Sequence, residues 1–280
     1  MHGTHDVATD TALWLALPIA AVALLHLAGI VRLHRRGVRW PLARSLAAGT
    51  GVVTLAAALL VPRTGFVAHV AGHLLLAMVA PLLLALAAPV TLALRALPTA
   101  GRRRLLRVLH SGPVRLLTRV PVVLALELGG MYAFYLTDLF ALAHAHPALM
   151  ALVDLHMVLA GLLLSVVLVG RDPLPHRPGL VGALVTLLVA AAGHDVLAKV
   201  MYARLLPAQA GSPDEIRLGA QVMYYGGTVV EVALAVVLMA AWYARTGREL
   251  ARERRRADRA LGSGSAVSAT PVPAGPPAPG

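Results

Sequence analysis

Seven apolar runs, each long enough to cross a bilayer or nearly so, dominate this chain of 280 residues. A hydrocarbon core about 30 Å thick takes about 20 apolar residues as a helix. The runs lie at Ala12–Val31, Ser45–Val61, Phe66–Leu94, Val120–Leu136, Pro147–Gly170, Gly179–Tyr202 and Leu218–Tyr243. No water in that core can satisfy a bare backbone, so each run must be helical. The fold class that follows is all-α, a polytopic membrane bundle of seven transmembrane helices. The second run is short and the third long. Pro81 and Pro89 are expected to kink the third or to end it early. The short loops leave no room for a separate soluble catalytic domain.

Charge orients the bundle. Only 14% of residues are charged, against about a quarter in a soluble domain, yet the net charge is +12. In a membrane chain such an excess reports topology first, so nucleic acid is not an expected partner. With the N-terminus outside, all but four of the 25 basic residues fall in the inner segments. The exceptions are Arg63, Lys199, Arg204 and Arg217. The positive-inside rule therefore predicts N-out and C-in. The segment before the first run, Met1 to Asp6, has no Lys or Arg, which reads as a span rather than a secretion signal. The expected organisation is a seven-helix transmembrane domain over 1–244 and a basic cytoplasmic juxtamembrane helix over 245–260, lying on anionic lipid. The uncharged tail over 261–280, rich in Gly, Ser, Ala and Pro, is expected to be disordered.

The absence of cysteine excludes disulfide scaffolds, thiolate zinc sites, cysteine nucleophiles and iron–sulfur clusters. Three Phe and three Trp argue against a core built on aromatics. Polar groups stand out instead. A charge at mid-span costs about 2.5–3.5 kcal/mol on insertion scales. The runs nevertheless carry Glu127, Asp154, Asp195 and Glu231, together with His26, His69, His73, His156 and His194.

His69 and His73 are spaced i, i+4 and share one helix face. At 1.5 Å per residue, His73 and His194 lie roughly 10–12 Å below the outer surface, with Asp154 and His156 at a comparable depth. The spacing predicts that three helices present imidazoles in one layer of the outer half of the membrane. Met150, Asp154 and Met157 share a face, while Asp154 and His156 point to opposite sides. Asp195 and Lys199, also i, i+4, are expected to pair. His26 reads as a packing residue. His2, His5, His144 and His146 read as outer-side residues, with metal capture the lesser reading. Histidine, methionine and carboxylate without thiolate favour copper, with haem iron held by paired histidines still open.

The third run carries a further signal. His69-Val70-Ala71-Gly72-His73-Leu74-Leu75 leads to Ala80-Pro81, then to Ala88-Pro89-Val90-Thr91-Leu92-Ala93-Leu94-Arg95. This stretch resembles the CtaG family of multi-span cytochrome c oxidase assembly factors. Tyr135-Leu136-Thr137-Asp138, His146-Pro147, Leu155-His156-Met157, Asp172-Pro173-Leu174-Pro175, His194-Asp195 and Met223-Tyr224-Tyr225-Gly226-Gly227 match in order and spacing. The resemblance runs from about Phe66 to Tyr243.

The resemblance implies a bacterial plasma-membrane protein, not an enzyme, that helps build the copper-containing haem–copper oxidase, by delivering or inserting copper. Its partners would be oxidase subunits and membrane lipid. The residues carried over are His69, His73, His156 and His194. Read as a Cu(I) site, His69 and His73 are the primary ligands and His156 and His194 further ligands or orienters, with Asp154 and Met157 as additional candidates. A copper transporter and a haem-binding membrane electron carrier are the alternative readings.

Overall fold

The computed structural model describes residues 3–60, 64–175 and 177–267, with side chains for 17, 19–60, 64–175 and 177–255. His2 and the side chain of His5 lie outside them. Among the described residues every element is helical. In order these are α1 (Gly3–His34), α2 (Leu42–Leu60), α3 (Phe66–Leu74), a π-helical turn (Leu75–Val79), α4 (Ala80–Ala87) and α5 (Pro89–Ala96). The short α6 (Thr99–Leu109) and α7 (Gly112–Leu117) follow, then α8 (Val120–Leu136), α9 (Leu139–Ala145), α10 (Pro147–Leu168), α11 (Leu180–Arg204) and α12 (Pro213–Val267). The chain divides into two compact units, 1–237 and 238–280. The second holds the C-terminal part of α12 with its arginines, helical through Val267 and so reaching into the stretch expected to be disordered; 268–280 lie outside the described residues. The site described below lies wholly in the first.

Five helices are long and apolar enough to cross a membrane: Leu42–Leu60, Phe66–Ala96, Pro147–Leu168, Leu180–Arg204 and Pro213–Arg255. A sixth span results if α8 and α9, bent by 78° at Thr137 and Asp138, count as one. Two of the seven expected runs are not among these five: the fourth is short, and the first lies partly outside the residues whose side chains are described. The helix over 120–136 has 17 residues before the chain turns, and the described apolar part of α1 is Ile19–His34.

The prolines act where the sequence places them, by different means. Pro81, four residues past Ala77, has no N–H to give the Ala77 carbonyl. The backbone widens there into the π turn, whose Ala80 N–H donates to Leu75 O five residues back. Gly161 of α10 backs directly onto that carbonyl, and a Cβ at Gly161 would overlap Ala77 O. The missing side chain brings α10 to backbone contact with the turn that follows His73, in the manner of a Cα–H···O approach. Pro89 begins α5 after Ala88, a left-handed residue at φ 54°. The left-handed conformation strains a residue with a Cβ, so something must hold the junction.

Asp172, 4% exposed in the α10–α11 loop, supplies that hold. Its carboxylate accepts Val90 N–H at 3.2 Å and both Thr91 N–H and Thr91 Oγ1–H at 2.6 Å. A carboxylate on the free amides of a helix start also meets the positive end of the helix dipole. Arg177 in turn donates to the Asp172 carbonyl at 3.0 Å. The two separated motifs Pro89-Val90-Thr91 and Asp172-Pro173 are therefore one structural joint. Asp172→Ala is expected to lower stability by about 2 kcal/mol, the upper range for losing a helix cap. Thermal unfolding of detergent-solubilised protein measures this, and an unchanged melting temperature would show that the joint contributes nothing.

Candidate functional site

The site is built on α3. Glu215, in the first turn of α12, accepts the Phe66 N–H at 2.7 Å and so caps α3 from outside. Gly65, at φ 88°, has no Cβ to crowd that carboxylate. One and two turns further on, α3 presents His69 and His73, 4% and 5% exposed.

His69 sits in a ring of aromatic side chains. It stacks on Phe66 and Phe134 at centroid distances of 6.3 and 5.7 Å, and meets Tyr135 and Phe140 edge-on at 6.2 and 5.2 Å. His73 meets Tyr135 edge-on at 5.5 Å. Phe66, Phe134 and Phe140 are all the phenylalanines in the chain. Scarcity of aromatics argued against an aromatic core, yet all three phenylalanines and Tyr135 gather at one histidine. Such rings give a rigid wall around the imidazole, with each pair contributing about 0.5–1.5 kcal/mol beyond area burial.

His144 joins this layer, although its position read as a loop. The bend at Thr137 and Asp138 turns α9 so that Phe140 and Ala143 are buried and His144 lies exposed at the edge. The His144 ring is 5.1 Å from His69 and 4.1 Å from Phe140, centroid to centroid. Its Nδ1 lies 2.8 Å from the Phe140 carbonyl. A carbonyl only accepts, so Nδ1 carries the proton and Nε2 of the neutral ring keeps its lone pair. The i, i+4 spacing of Phe140 and His144, just past the Thr137-Asp138 break, is the sequence signal for this placement.

The remaining candidates have other neighbours. His156 fits against Gly130 of α8, with Nε2 3.1 Å from the Leu126 carbonyl. His194 fits against Gly227 of α12, with Nδ1 3.6 Å from Glu231 Oε1. Each glycine admits a ring where a Cβ would stand. Met157 is buried in the core of the bundle. Asp154 lines a separate apolar cavity together with His26. Lys199 Nζ lies 5.1 Å over the Tyr224 ring. Among the described residues it makes no ion pair with Asp195, so the cation is balanced by an aromatic face rather than by the expected carboxylate. Among the described residues, no three His, Asp or Glu groups are placed to hold one metal ion.

The molecule is thus an all-helical membrane protein whose distinctive feature is a buried layer of histidines and aromatics behind a bent helix. The family of the cytochrome c oxidase caa3 assembly factor matches residues 24–245, four-fifths of the chain. The chain belongs to that family. Comparisons with the curated proteins and with the solved structures return no match.

Proposed function

We propose that this assembly factor takes up Cu(I) as cargo in the outer half of the bacterial plasma membrane and passes it to an oxidase subunit, without catalysing a reaction. The proposed topology is seven spans, N-out and C-in, supported by the arginine distribution. The observation that carries the reading is the contact of exposed His144 with buried His69, one helical turn from His73.

In this reading His144 captures the ion, and His69 and His73 receive it. Imidazole suits copper, and the absence of thiolate leaves the ion releasable to a partner. The aromatic ring excludes water from the receiving pair, so a bound ion exchanges through His144 rather than with bulk solvent. His156, His194, Asp154 and Met157 belong to later steps of transfer if they touch the cargo.

Copper content and loading rate test this. The purified native chain is expected to remove Cu(I) from a colorimetric chelator. His144→Ala is expected to load roughly tenfold more slowly while reaching nearly the same final copper, in line with the effect of altering a ligand shell. Equal loading rates would remove His144 from the path. A native chain that takes no copper would overturn the copper reading, and a Soret band would replace it with haem.

A further inference from the structure

A cavity of about 870 Å³ lies between α1, α2, α4, α5 and α10, outside the histidine layer. Its walls are almost wholly aliphatic, and the ionisable residues among its described lining are His26, Asp154 and Arg32. Leu25, Leu155 and Leu159 line it and are themselves exposed, so the cavity opens sideways toward the bilayer.

We propose that this cavity is a binding site for one anionic phospholipid of the leaflet on the arginine-rich side. The aliphatic walls and the sideways opening suit flexible acyl chains. Length agrees: α1 lines the cavity from Ile19 to Arg32, about 20 Å at 1.5 Å per residue. One leaflet with its headgroups is about 20–22 Å thick.

Polar groups stand where such a lipid has its own. Arg32, exposed at the end of the cavity, meets the phosphate. Leu105 of α6 lines the same end, and α6 also carries exposed Arg102, Arg103, Arg104 and Arg107. Among the described residues, no carboxylate pairs with any of these five arginines. Neighbouring Arg44 and Arg95 are occupied on the Trp40 ring, at 4.9 and 5.9 Å. His26 lies about 9 Å deeper along α1 than Arg32. Among the described residues its buried Nε2 has no hydrogen-bond partner, and an ester carbonyl that reaches it accepts what that nitrogen donates.

Native mass spectrometry of the full chain, extracted from vesicles of equal phosphatidylglycerol and phosphatidylcholine, tests the site. The native chain is expected to retain one phosphatidylglycerol in preference to phosphatidylcholine. Arg32→Gln is expected to reduce that preference about fivefold, the effect of one arginine on an anionic headgroup. His26→Phe is expected to weaken retention of both lipids alike. Equal retention of the two lipids by the native chain, an undiminished preference in Arg32→Gln, or a retained molecule of another mass would each overturn the proposal. If Arg32→Gln does not fold, the native comparison alone decides.

Discussion

Gly161→Ala is expected to remove most of the folded protein from the membrane. The Cβ it adds overlaps Ala77 O, a backbone atom held by the π turn on one side and Pro81 on the other. A flexible side chain yields to such an intrusion, but this carbonyl has nowhere to go without moving the turn or α10. Overpacking a tight contact costs about 1–3 kcal/mol, and a backbone-on-backbone clash belongs at or above the top of that range. Gly129→Ala is the control, since nothing lies within 4 Å of a Cβ there. The amount of monodisperse protein after detergent extraction, with its melting temperature, measures both. If Gly161→Ala accumulates and melts like the native chain, α10 does not rest on the π turn as described.

The second large effect concerns the cargo. Replacing both His69 and His73 is expected to reduce bound copper at least tenfold, to background. His69→Phe is the more telling single variant, because a phenyl ring preserves the stacking on Phe66 and Phe134 while removing both ring nitrogens. Loss of copper from a chain that still folds would assign the loss to ligation rather than to collapse of the aromatic ring. His156→Phe is expected to keep most of its copper, since its Nε2 is already engaged by the Leu126 carbonyl. Metal analysis of purified protein reads all three. Undiminished copper in the double variant would place the cargo elsewhere, with His194 and Glu231 the next pair to examine.

The histidine pair on α3 and the break at Pro89 were legible from spacing and residue type alone. The cap on α5 was not, because Asp172 acts on amides 81 and 82 positions away in the chain. His144 was read as an outer-side residue, with metal capture only the lesser reading, for a related reason. Its neighbourhood depends on the 78° turn between α8 and α9, and no local preference specifies that angle. Three imidazoles at a similar depth on different helices suggested one meeting point. In the fold, His156 faces α8 and His194 faces α12, each against its own glycine.

Taken alone, the chain determined that it is an all-helical membrane bundle and roughly where its long apolar helices lie. Transfer into hydrocarbon sums residue by residue along a segment, so hydropathy and charge need no knowledge of neighbours. Only the tertiary structure decided which polar groups share a pocket. Helices that are apolar all round carry no mark of the side that faces lipid, and their rotation is set by close packing at positions such as Gly130, Gly161 and Gly227.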